Sequence, residues 1–406
     1  MKLTDEQKRM QNGEKGPACK LAMDILVALG EINGAECMIP IKSAHCAGLS
    51  LKSHGLAGTE WAEDLAKSGA KACVPTTMNV IGVDRSRDLR LPKEWTKNQL
   101  RIEDAYEQMG CYGTSTCVPY YLGFIPRFGE HLAWAESSAV VFTNSVLGAR
   151  DNREGGPSAL AAALAGCTPY YGMHIKENRL GDVLYKVSAK VKTLTDYGAL
   201  GAYVGKRVGT KIPVFEGLTE PNTEDLVYLG AALASSGAVA MFHVIGVTPE
   251  APSREAAMKP APYDIVEITD KEIAEGYSQL TSATERKIDY VAIGCPHCSL
   301  RQLEEVAKLL IGRKVAPDVT LWVHTNAAIK EIAKQLGYVK IIEDAGGVVT
   351  QDLCTILGNP ETFGFKNLAT NSPKMAFYAP GSNGMNAWFG SVENCIDAAV
   401  SGYWRG

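Results

Sequence analysis

Short apolar runs that give way to a polar loop and then a helix recur along this chain, and that cadence confines it to α/β architecture. Ala18, Leu21, Ile25 and Leu29 fall at helical spacing, with Gly30 as the stop. Cys37 to Lys42 then reads as a short strand and Thr59 to Lys67 as a helix. Lys71 to Val74 reads as a strand running into the polar Thr76-Thr77-Met78-Asn79, and Pro92 to Met109 as a helix stopped by Gly110. Farther on, strands are expected at Tyr290–Gly294, Val319–Val323 and Val339–Ile342, with helices at Ser299–Leu310 and Asn326–Leu336. Another strand is expected at Met375–Ala379, followed by the turn Gly381 to Asn386. Val247 to Asp264 holds Pro249, Pro252, Pro260 and Pro262 and reads as a linker or a long surface crossing. The expected organisation is an N-terminal α/β region over 1–246, a linker over 247–264 and a doubly wound C-terminal domain over 265–406.

Ligands of such sheets bind outside the carboxyl ends of the strands, and three cysteines stand in loops of that kind. Cys117 follows Thr114-Ser115-Thr116, Cys295 follows Ile293-Gly294, and Cys354 follows Gln351-Asp352-Leu353. Iron–sulfur clusters are held by cysteine thiolates, and three ligands in place of four leave one iron open as a Lewis acid. Spacing alone carries this only part of the way, because there is no dense C-x-x-C-x-x-C array. Cys295-Pro-His-Cys298 also admits thiol–disulfide exchange, in which a helix dipole activates the first thiol. Zinc would need a second pair of ligands that the sequence does not supply. Cluster ligation is favoured for Cys295 and packing for Cys298.

Composition narrows the function classes. The 406 residues are 46% hydrophobic with a net charge of −4, which supplies core and no basic surface for nucleic acid. No apolar run approaches the ~20 residues of a bilayer span. Thr4 and Gln7 look like a helix capping box where a signal peptide would carry its apolar core. A cytoplasmic location is expected, where the eleven cysteines stay reduced. Cys19, Cys37, Cys46, Cys73, Cys167 and Cys395 are expected to pack in the core.

Several runs together resemble the aconitase X family. They are Ile39 to His45, Val74 to Asn79, Thr114 to Tyr120, Phe128 to Ser138, Thr143 to Gly156 and Ile293 to His297. The resemblance spans essentially the whole chain. It implies an aconitase-like fold of three α/β domains around an iron–sulfur cluster, with Cys117, Cys295 and Cys354 as the three cysteine ligands. Family members carry a smaller swivelling domain, either fused or as a separate small subunit. No such domain is expected within a chain ending at Gly406, so a small partner subunit is implied. Two dehydrations are associated with the family, of 5-phosphomevalonate and of cis-3-hydroxy-L-proline. Asn152 to Ser158 resembles the phosphomevalonate type, whereas Val80 to Arg85 resembles bacterial members.

The remaining polar residues can be weighed individually. Lys42, Ser43 and His45 follow a strand end; read blandly, they are a solvated lysine and a satisfied turn histidine. Glu136, in the apolar run Leu132 to Val140, is expected to be partly buried with a raised pKa suited to acid–base work, unless a nearby arginine pairs with it. These four are the catalytic candidates. Arg150 and Arg153 precede a helix start whose free N–H groups suit a phosphate or carboxylate; alternatively they pair with Asp151 and Glu154. Thr76, Thr77, Asn79, Asn144 and Ser145 complete the expected substrate-binding set. His297 is expected to bond a cluster sulfur or a substrate, or merely to cap its helix. The favoured activity is Lewis-acid dehydration of a small hydroxy acid. A thiol oxidoreductase centred on Cys295 and Cys298 ranks below it, as does a cluster-bearing scaffold subunit.

Overall fold

The structure, a computed structural model, describes residues 1–406 and resolves into three α/β units. In the first, β1 (Met38–Pro40), β2 (Ala44–Cys46), β3 (Thr76–Met78), β4 (Ala133–Trp134) and β5 (Cys167–Pro169) are very short. β2 lies between β3 and β4, parallel to both, and β1 pairs antiparallel with β5. The second unit is a parallel sheet of β6 (Val183–Val187), β7 (Pro213–Glu216), β8 (His243–Val244) and β9 (Asp264–Ile268) in the order β8-β7-β6-β9. The third is parallel throughout, with β10 (Tyr290–Ile293), β11 (Thr320–His324), β12 (Val348–Thr350), β13 (Asn367–Thr370) and β14 (Asn386–Phe389) in the order β12-β11-β10-β13-β14. The chain winds outward from β10 to β12 and then returns to β10's other side. This reversal makes a crevice at the carboxyl ends of β10 and β13. No helix is long and apolar enough to cross a membrane.

The boundary after residue 246 moves. The proline-rich stretch crosses the surface within the second unit, and β9 beyond it pairs along its whole length with β6. Left where the sequence suggested, the boundary would strip β6 of a neighbour and expose an edge. The chain passes to the third unit after the helix Asp270–Leu280. One hydrophobic cluster runs from Tyr185, Leu200 and Leu229 to Tyr290, Leu368 and Phe389, so the second and third sheets share a core.

Three expected strands are absent. Lys71 to Val74 is irregular, and the strand begins at Thr76. Tyr338–Asp344 is a helix that buries Val339 and Ile342, three residues apart on one face. Pro373–Asn383 is also a helix, in place of the expected strand and turn. Ser372 caps it by accepting from the Met375 N–H at 3.0 Å, and Pro373 takes the first-turn position where no donor is needed. Of the six cysteines expected in the core, Cys46, Cys167 and Cys395 are buried, Cys19 and Cys37 half-buried, and Cys73 exposed. Cys73 sits in the irregular segment before β3, its Sγ turned to the Ala163 carbonyl at 3.3 Å.

Candidate active site

The first and third sheets meet at the carboxyl ends of their strands, and the three cysteines lie in that seam. Residues 112–116 run beside β3: the Tyr112 N–H donates to Thr76 O at 2.7 Å and the Thr116 N–H to Met78 O at 3.0 Å. Cys117 therefore emerges just beyond the end of β3. The Cys354 loop docks on the same edge, with Ile81 N–H donating to Asp352 O (2.8 Å) and Cys354 N–H to Ile81 O (3.2 Å). Cys295 leaves β10 through Gly294, whose φ of 101° is open to glycine. A Cβ at Gly294 would lie 2.2 Å from His324 O.

His297 knits the seam from within. Its backbone N–H donates to Cys117 Sγ at 3.3 Å, Nδ1 meets Thr116 Oγ1 at 3.0 Å, and Nε2 meets Leu353 O at 3.0 Å. The ring thus links the residues preceding Cys117 and Cys354, and burial lowers its pKa to about 4. Of the expected roles, contact with a cysteine sulfur is made by the main chain. The Cys295 and Cys354 thiols neighbour each other, and that proximity raises the first and lowers the second. Cys298 faces away, fully buried among Val291, Ile293 and Leu303. Cys295 and Cys354 thus stand together on the third sheet's side of the seam, opposite Cys117, and Cys298 is packed in the core.

Across the seam stands an ion pair absent from the sequence reading. Lys374, in the first turn of Pro373–Asn383, donates to the Glu136 carboxylate, with Ser137 Oγ at 3.3 Å. Glu136 also accepts from Ser138 Oγ and the Ala139 N–H, both at 2.7 Å, and so caps the helix Ser137–Phe142. Both side chains are largely buried, at 15% and 4% exposed. Burial pushes the Glu136 carboxyl up, but the Lys374 charge and these bonds outweigh it and hold it below its ordinary value. Burial would lower Lys374, yet Glu136 and the nearby Cys295 and Cys117 raise it. The expectation of a raised Glu136 pKa is therefore corrected. Its partner is a lysine, signalled by the Ser372-Pro373 helix start just ahead of Met375–Ala379, the segment expected as a strand.

The strands divide the other candidates between two edges. His45 lies in β2, fully buried, with Nδ1 2.8 Å from Thr77 Oγ1 and no partner for Nε2; burial lowers its pKa to about 4 despite nearby Glu136. Asn79, just past β3, buries an unpartnered Oδ1. Thr76 Oγ1 bonds Val74 O at 2.9 Å, a local turn contact. Lys42 and Ser43, by contrast, enter β2 from its other end. The three-residue strand, about 10 Å long, stands between them and the seam. Ser43 Oγ accepts from Trp134 Nε1 at 3.1 Å, and Lys42 is exposed. Arg150 shares that entering edge, bridged to His131 and donating to His174 O at 3.3 Å. Asn144 spends its amide on Asp151 and Ala240 carbonyls and its oxygen on the Asp151 N–H and Arg179, while Ser145 accepts from the Phe242 N–H. Both hold a loop rather than line a cleft.

Arg153 lies on the cysteine side. It is exposed, in a segment passing along β4 to the helix Gly156–Ala165, whose Gly156 lies close against Ala47 O at the leaving end of β2. Neither arginine pairs with the acids beside it. Asp151 accepts from the Trp134 N–H, and Glu154 from Ser158 Oγ and Thr168 Oγ1. Arg153 is thus a guanidinium free of carboxylates next to a helix start.

No three His, Cys, Asp or Glu side chains converge on one point as a single metal ion requires. The seam nonetheless offers a soft donor set, three thiols with main-chain N–H groups aimed at Cys117 and Cys354 and a buried ammonium nearby. Burial raises the Cys117 and Cys295 thiols, and these N–H groups and the ammonium oppose it; the donor set fits an iron–sulfur cluster.

The comparisons with known proteins agree along the whole chain. Residues 1–177, 181–278 and 288–401 match the models of the aconitase X first, second and third domains. The chain is 45% identical to the phosphomevalonate dehydratase large subunit of Methanothermobacter thermautotrophicus over 96% of each. It is 37% identical to the cis-3-hydroxy-L-proline dehydratase of Pseudomonas aeruginosa, over 96% of this chain and 68% of that one. The crystal structure of Thermococcus kodakaraensis aconitase X in its holo form superposes with a TM-score of 0.91 at 42% identity, covering 98% of this chain and all of that one.

Proposed function

Because the chain belongs to the aconitase X family, whose relatives here are dehydratases, we propose that this hydro-lyase is the large subunit of a phosphomevalonate dehydratase. It removes water from 5-phosphomevalonate to give an anhydromevalonate phosphate. The observation that carries the chemistry is the meeting of Cys117, Cys295 and Cys354 beside the buried Glu136–Lys374 pair. An iron–sulfur cluster held by those thiols would supply an open iron as Lewis acid for the departing hydroxyl.

The chain's own residues supply the rest. Lys374 sets a fixed positive charge in a water-poor seam, where charge developing on a substrate carboxylate is stabilised most. Glu136 keeps that lysine charged and aimed. His45 stays neutral; in the tautomer that carries its proton on Nδ1 toward Thr77, Nε2 is the atom that accepts a proton once substrate binding opens the pocket. Arg153 and the helix start beside it hold the phosphate. A separate small subunit, which the names of the phosphomevalonate relatives imply, closes the seam.

The choice of substrate is supported by identity and by Arg153. The chain is 45% identical to the phosphomevalonate dehydratase large subunit and 37% identical to the hydroxyproline enzyme. A phosphate also needs the unpaired guanidinium more than a lone carboxylate does. The test is to co-express the chain with the small subunit, purify anaerobically and assay both substrates. Turnover of 5-phosphomevalonate is expected, and preference for cis-3-hydroxy-L-proline would reassign the substrate. Within the same assay, Arg153→Ala should lower kcat/KM on the phosphorylated substrate by about one to two orders of magnitude. Iron content and melting temperature should not change. Lys42→Ala, on the far edge, should leave the kinetics unaltered.

A further inference from the structure

We propose that Arg85 is a positioning residue, a clamp that fixes the Cys117 and Cys354 loops against each other so that both thiols face the seam. The inference rests on the reading of those cysteines as cluster ligands. Arg85 leaves the first domain just after β3 and reaches across the interface. Its Nη2 donates to Gly113 O at 2.9 Å and to Ser115 Oγ at 3.3 Å on the Cys117 side. On the Cys354 side, Nε lies 3.2 Å from Asp352 Oδ2 and Nη2 3.4 Å from Asp352 Oδ1, and the Arg85 backbone N–H points at the same carboxylate from 3.4 Å.

What the arginine grips is the informative part. Ser115 has φ 37° and Asp352 φ 65°, a left-handed backbone uncommon outside glycine, which an aspartate adopts more readily than a serine. Each stands two residues before a cysteine, and Arg85 bonds the side chain of both. Cys295 follows a residue of positive φ as well, but there Gly294 makes the turn at no steric cost. The first and third domains thus each carry a residue of positive φ at the same offset from a thiol, and one guanidinium restrains the two. Asp352 is fully buried, and its one ion pair comes from the first domain, from an arginine 30% exposed whose Nη1 also meets Glu107 at 3.0 Å and Glu103 at 3.5 Å. A lysine could neutralise Asp352 but could not also reach Gly113 and Ser115, because it lacks the planar fork.

The experiment uses the metal-free full-length chain and its anaerobically reconstituted form, as wild type, Arg85→Lys and Asp352→Asn. Timed alkylation with a small thiol reagent, followed by mass spectrometry, should label Cys117 and Cys354 about tenfold faster in both variants, since local opening is what exposes them. Cys298, packed in the third domain's core, should label at the wild-type rate. In the reconstituted proteins, iron should pass to a chelator about tenfold faster, with altered visible absorption per iron. Equal labelling and equal iron retention in wild type and variants would overturn the clamp. So would equal acceleration at Cys298 in both variants, which marks general unfolding. Should the wild type take up no iron while selective labelling persists, the cluster reading fails and the clamp stands.

Discussion

Replacing Lys374 with methionine is expected to cost about a thousandfold in turnover and, separately, about 3–5 kcal/mol of stability. The two losses have different origins. Turnover falls because the fixed cation of the seam is gone. Stability falls because Glu136, 4% exposed, is left as a buried charge with only Ser138 and the Ala139 N–H to satisfy it. The double variant Glu136→Gln, Lys374→Met should therefore recover most of the stability and none of the activity. Urea titration and single-turnover kinetics separate the two effects. A Lys374→Met enzyme with near-normal turnover would remove the lysine from the chemistry.

The pH dependence follows from the same pair. Glu136 is held below its ordinary 4.5, so its contribution is present above that value and is lost as pH falls through the depressed pKa. Lys374 is raised above its ordinary 10.5, so its contribution is present below that value and is lost as pH rises through the raised pKa. Between about pH 5 and 10 the pair should leave no mark on the stability curve. In Lys374→Met the sign reverses at the acid end. Burial then raises the Glu136 pKa, and stability should fall as pH climbs above the ordinary carboxyl range. Denaturant midpoints measured across pH 4 to 9 should show a slope in the variant that the wild type lacks.

The α/β cadence was legible because parallel strands and their helices leave clean apolar runs, and the third sheet's β10 and β11 stand where periodicity places them. Short strands were harder. Val339 and Ile342 suit a strand or a helix face, and only contact with the sheet decides between them. Pro373–Asn383 was misread because Met375-Ala-Phe-Tyr-Ala379 is apolar, although Ser372-Pro373 is a helix-start signal. That misreading hid Lys374, since its partner Glu136 is 238 positions away. Arg85 escaped for a similar reason, because its importance lies in a contact with Asp352 that no local pattern encodes. Lys42 and Arg150 show the converse. They stand in motifs that resemble the family's, and strand direction puts them at the entering edge of β2, away from the three cysteines.

Cys117, Cys295 and Cys354 act as one ligand set in this reading, and serine at any of them should empty the site. Serine keeps the shape while replacing a soft thiolate with a poor iron ligand, so the fold should survive without its metal. Cys298→Ser controls for the neighbouring thiol, which points into the core. The deciding measurement is iron and acid-labile sulfide per chain, with the visible spectrum, in the four serine variants and the wild type after identical anaerobic reconstitution. Near-complete loss of iron and colour is expected at Cys117, Cys295 and Cys354, with wild-type values at Cys298. Retention of iron at any of the first three, or bleaching by Cys298→Ser alone, would contradict that reading.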